Sequence, residues 1–140
     1  MNNPPTNKVR PRIFHSSISF SISGDGLNFD EISRTLGVNP YVISEKGKRY
    51  GHHQTLCDFD QWYYTTTMRA HRDQPLDEHV TVLWEIVQPH IGYLQELKKK
   101  FKIRIIIFVQ SPAPNFTVDQ RCLKLCTELE IPLEISATVS

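Results

Sequence analysis

Ile18, Phe20 and Ile22 alternate with Ser17, Ser19, Ser21 and Ser23. A period of two places successive side chains on opposite faces of a strand. The stretch Ile13 to Ser23 therefore predicts a strand with one apolar face and one row of serines. Gly24-Asp25-Gly26 follows as a turn, because glycine reaches positive φ without a Cβ clash. The period then changes. Phe29, Ile32 and Leu36 share one face of a short helix. Asn28 and Glu31 have capping-box spacing at its start. Gly37 suits a left-handed cap at its end, and Pro40 blocks continuation.

Tyr41 to Thr55 has neither period and predicts a long surface loop, which by length is the best place for function. Leu56 to Met68 is rich in aromatics and threonines and favours strand. Its imperfect alternation allows a bulge or two short strands. From Leu76 to Phe101, apolar residues recur every three or four positions, through Val80, Leu83, Val87, Ile91, Leu94 and Leu97. This predicts the longest helix, kinked near Glu85 to Pro89 because proline lacks the N–H. Lys98, Lys99 and Lys100 complement the dipole at its end.

Ile103 to Gln110 is apolar on both faces and predicts a central strand. Ser111-Pro112-Ala113-Pro114 breaks it. Thr117 and Gln120 offer a second capping box, ahead of a helical stripe of Val118, Cys122, Leu125, Cys126 and Leu129. The stretch from Ile131 to Ser140 alternates again and predicts the last strand. The first and last strands each keep a polar face, so helices are expected on one side only. The expected fold is α+β: a two-layer sandwich with a mixed four- to five-stranded sheet and helices packed on one face. Residues 1–12, rich in Asn and Pro, predict a flexible arm ahead of a single domain over 13–140.

Composition removes several function classes. Net charge is +1, which gives no overall drive toward nucleic acid or anionic membrane. No apolar run approaches the roughly 20 residues of a membrane helix, and the N-terminus lacks a signal-peptide core. Three cysteines are sparse and odd in number, which fits a reducing cytoplasm rather than a disulfide framework.

The ordered motifs resemble the domain-of-unknown-function family 4279. They are Ser23-Gly24 at a strand end, Ile32-Ser33-Arg34-Thr35-Leu36-Gly37 on a helix, Lys46-Gly47 in a turn and Trp62 on a strand. A leucine-spaced helix from Leu76 and Leu133-Glu134-Ile135-Ser136 complete the set. The likeness spans roughly residues 15 to 139. Gln61 stands before Trp62 where the family carries glycine. The resemblance implies a soluble α/β fold, mostly bacterial, and lends no activity.

The six histidines include His52-His53, which point to opposite faces of an extended chain, and His79 and His90, three turns apart on a helix. None of these spacings makes a metal site, and surface exposure is the plain reading. Cys122 and Cys126 read as buried small hydrophobes. No metal, cofactor or catalytic constellation is expected. The candidate binding residues are Lys46, Lys48, Arg49, His52 and His53 in the long loop, with Trp62 and Thr66 beside the serine row of Ser17, Ser19, Ser21, Ser136 and Thr138. Together they suggest a non-catalytic module that binds a protein partner or a second copy. The alternative is a small enzyme with Asp58, Asp60, His52 or His53 as acid–base groups, which requires those side chains to converge.

Overall fold

The computed structural model describes residues 14–112 and 115–139. The expected arm over residues 1–12 lies outside them. Strand β1 (His15–Gly24) leads through a turn to helix α1 (Phe29–Leu36). Asn28 caps that helix by accepting from the Glu31 N–H at 3.0 Å. The Glu31 carboxylate does not return the bond. It accepts instead from the Tyr93 hydroxyl, so the cap also ties α1 to a later helix. Gly37 closes α1 at φ +74°, donating to the Ser33 carbonyl, as its sequence position predicts.

The segment expected to be one loop contains two short strands, β2 (Val42–Ser44) and β3 (Arg49–Tyr50), and the first residue of a third, β4 (Thr55–Leu56). The last two form a small hairpin of their own. The aromatic stretch does break in two, into β4 and β5 (Asp60–Thr65), and ends in a 3₁₀ turn at Thr66–Met68. Helix α2 (Leu76–Val87) passes through a 3₁₀ turn holding Pro89 into α3 (Ile91–Lys98). The kink thus sits where the missing proline N–H puts it. Strand β6 (Lys102–Ser111), helix α4 (Gln120–Leu129) and strand β7 (Leu133–Val139) complete the chain. The cap of α4 is Asp119 rather than Thr117, because its carboxylate reaches both the Arg121 N–H and the Arg121 guanidinium.

The main sheet has five strands in the order β2-β5-β1-β6-β7. Only β6 and β7 run parallel, joined by the α4 crossover. The helices cover one face, so the fold is an α+β two-layer sandwich. The core lies between the layers. Ile18, Phe20, Ile22, Trp62, Tyr64, Ile105 and Ile107 come from the sheet, and Ile32, Val80, Leu83, Leu94, Leu125 and Leu129 from the helices. Cys122 and Cys126 are buried in it as expected, and burial pushes their thiols up to about 12 and about 11.

Two placements correct the sequence reading. Trp62 lies opposite Ile22 in the register and is fully buried against the helices, with its indole N–H donated to Ser33 Oγ at 3.0 Å. It is stacked on Tyr64 and meets Phe20 edge-on. It cannot share the serine face. Thr66 is also fully buried, beneath α2. The histidines are not all on the surface either, since His79 is 0% exposed.

Candidate functional site

The uncovered face of the sheet is a trough. Its floor is Ser17, Ser19, Ser21 and Ser23 of β1, in the middle of the sheet. Ser19 and Ser21 are almost inaccessible although, among the described residues, no helix covers them. Larger neighbours stand over them on both sides: Thr65 and Tyr63 from β5, and Ile106 and Arg104 from β6, all directly opposite in the register. The far walls carry exposed apolar groups. Tyr41, 64% exposed, meets Tyr63 edge-on, and Phe108 stands beside Ser17 and Ser136. Arg104 and Glu134 bridge β6 and β7 on this face with two hydrogen bonds, Nε to Oε2 being 2.8 Å. The guanidinium holds the Glu134 carboxyl below its usual range.

At the His15 end the trough opens into a cleft of about 190 Å³ lined by His15, Ser17, Phe108, Gln110, Ser136 and Thr138. Here β5 no longer flanks β1, and the connector from Thr66 to Gln74 takes its place. The Ser16 N–H bonds Arg72 O, and the Ile18 N–H bonds Thr66 Oγ1. Asp73 sits on this connector and accepts from His15 Nε2 at 3.0 Å. Its backbone N–H is donated to His71 Nδ1. This imidazole–carboxylate pair joins residues 58 positions apart in the chain, and no local spacing announces it.

The loop candidates lie at the other end of β1, roughly 30 Å away at about 3.3 Å per strand residue. Asp60 organises that end. Its carboxylate accepts the backbone N–H groups of Gly26, Leu27 and Lys46, at 2.9, 3.1 and 2.8 Å. These bonds, the one from Lys46 foremost, hold its carboxyl below the usual range. The loop cations have local partners: Lys46 pairs with Asp25, Lys48 with Glu45, and Arg49 donates to the Gln54 carbonyl. His52 and His53 are exposed at the hairpin tip and pack edge-on against each other. Among the described residues, no hydrogen bond joins Asp58 or Asp60 to either histidine, and no three His, Cys, Asp or Glu side chains group to hold a metal.

The structure therefore brings Lys46, Lys48, Arg49, His52 and His53 onto one surface loop and places Trp62 and Thr66 in the core. The trough itself draws on residues with weak sequence signals. Tyr41, Tyr63 and Phe108 could have been found only from strand parity, and His15 with Asp73 only from the fold. Among the described residues, no helix is long and apolar enough to cross a membrane.

The family described as a domain of unknown function, DUF4279, matches residues 14–140. The chain belongs to this family. The match begins beside the first residue of β1 and takes in every strand and helix described above, so the trough and the loop both belong to the DUF4279 unit. No curated protein and no solved structure matches the chain.

Proposed function

We propose that this DUF4279 chain is a non-catalytic module that binds a protein partner through the uncovered sheet face, in a bacterial cytoplasm. One observation carries the reading: a floor of small hydroxyls flanked by the exposed aromatics Tyr41 and Phe108, on a face that no helix of the described residues covers. Aromatic groups beside small polar ones suit the core of a modestly polar protein interface. The loop from Tyr41 to Thr55 joins this face at Val42, opposite Tyr63, and its side chains Lys46, Lys48, Arg49, His52 and His53 are proposed as a polar contact beyond that end of the trough. The acid–base alternative has less support, because Asp60 already gives both carboxylate oxygens to backbone N–H groups.

A photo-crosslinking side chain at Phe108, compared with one at Glu85 on the helix side, tests the reading in cells of the source. We expect one defined protein adduct from position 108, reduced at least tenfold by Tyr41→Glu, with an unchanged melting curve. Equal crosslinking from both positions would remove the trough as the binding surface.

A further inference from the structure

We propose that the outer edge of β7 is a self-association site, at which two copies pair antiparallel about Ser136 and join their sheets. The inference rests on a contrast between the two edges of one sheet. Strand edges present unpaired backbone groups, and natural proteins blunt them by shortness, proline, lysine or bulges. Strand β2 is blunted. It has three residues and gives way to a turn at Lys46 and Gly47. Strand β7 has seven residues, with no proline, lysine or glycine among them. Its one charge, Glu134, is already neutralised by Arg104 of the same chain. Among the described residues, no strand pairs with its outer side.

The side chains of β7 fit a second copy of themselves. In an antiparallel pair, directly opposed residues face the same side. Pairing centred on Ser136 sets Leu133 opposite Val139 and Ile135 opposite Ala137, on the helix side of both sheets. Glu134 then faces Thr138, and Ser136 faces its own copy, on the trough side. Every apolar position meets an apolar one, and the two like charges stand at opposite ends of the junction. Registers centred between residues would set apolar against polar throughout.

The helix side of this edge is also apolar and bare. Ile135 and Val139 are 47% and 68% exposed, and Ala137 is exposed with them. Leu123 of α4 is exposed as well. It lies on the flank of α4 turned away from α2, because Arg121 and Lys124, on the other flank, reach Thr81 and Trp84 of α2. A stable interface buries about 800 Å² per partner, more than a seven-residue edge offers, so the contact takes in this flank of α4 too.

The full chain is tested by sedimentation equilibrium and by cysteine trapping in a Cys57→Ser background. The unaltered chain should sediment with the mass of two copies, and Ala137→Lys with Val139→Lys should reduce it to one while circular dichroism stays the same. Paired strand positions lie within disulfide reach. Ser136→Cys should therefore oxidise to a covalent dimer, and Thr138→Cys, opposite Glu134, should not. A single-chain mass at high micromolar concentration overturns the proposal. So does a dimer that survives both lysines and fails to trap through position 136, or a different protein found paired along β7.

Discussion

The hydroxyl of Thr66 and the imidazole of His79 meet at 2.7 Å in the core, and together they anchor the start of the central strand. The Ile18 N–H is donated to Thr66 Oγ1, leaving the Thr66 hydroxyl proton for His79 Nδ1. His79 Nε2–H is in turn donated to the His71 carbonyl at 3.1 Å. Each donor has one acceptor, and the imidazole is the neutral Nε2–H tautomer. The relay ties β1, the connector and α2 at the place where β1 loses β5 as a neighbour.

Thr66→Val keeps the shape and removes the relay. It leaves the Ile18 N–H and His79 Nδ1 buried without partners, each costing about 1–3 kcal/mol, so we expect a loss of about 2–6 kcal/mol in urea unfolding. Thr66→Ser should stay within about 1 kcal/mol of the natural chain, because it keeps the hydroxyl. A larger loss in Thr66→Ser than in Thr66→Val would mean that packing of the methyl, not the relay, matters.

Acid should weaken the fold in two stages. Burial pushes the His79 imidazole below its ordinary value of 6.5. The unfolded chain therefore takes up that proton first, and this stability is complete above about pH 6.5 and lost as the pH falls toward the lowered folded value. A second loss follows below about pH 4, as Asp60, Asp119 and Glu134 protonate. Their carboxyls are held down by the Lys46 N–H, the Arg121 guanidinium and the Arg104 guanidinium. Unfolding free energies from pH 3 to 8 should show both declines. A flat profile between pH 5 and 7 would contradict the neutral buried His79.

Trp62 and Tyr64 are neighbours on β5 with opposite expectations. Trp62 is fully buried and hydrogen-bonded, so Trp62→Ala should cost about 3–5 kcal/mol and broaden the melting transition. The Tyr64 hydroxyl is buried and meets no hydrogen-bond partner among the described residues. Tyr64→Phe removes that uncompensated group and should leave stability unchanged or raised by up to about 1 kcal/mol. A large loss in Tyr64→Phe would show that its hydroxyl is satisfied in solution.

Gly24 ends β1 at φ +150°, and a Cβ there would stand 2.7 Å from the Phe101 ring. Gly24→Ala combines a disfavoured backbone with a clash and should cost about 1–3 kcal/mol by calorimetry. Gly24→Ala with Phe101→Leu should recover part of it. No recovery would assign the whole cost to the backbone.

Much of this fold was legible locally. The serine alternation, the Asn28 and Gly37 caps of α1 and the Pro89 break all depend on neighbours within one or two turns. His79 was legible too, because it lies three residues after Leu76 and four before Leu83, on the buried stripe. The acid–base spacing of Asp58 and Asp60 hid the role of Asp60, whose partners at Gly26 and Leu27 come from a turn over thirty residues earlier. Trp62 faces the helices by its register with Ile22, which no spacing within β5 reveals. The apolar side of β7 reads as core in the sequence, but α4 leaves it bare beyond Leu133.

The central position of β1 also shapes how the chain is born. It is made first among the described strands, yet one of its two partners, β6, begins only at Lys102. During synthesis at about 5–20 residues per second, β1 waits for several seconds with an open edge. A strand apolar on both sides would then be an invitation to aggregate. The serine row gives the nascent strand a wettable side throughout that wait, so the same hydroxyls that floor the trough also halve the apolar surface the open strand presents before the trough exists.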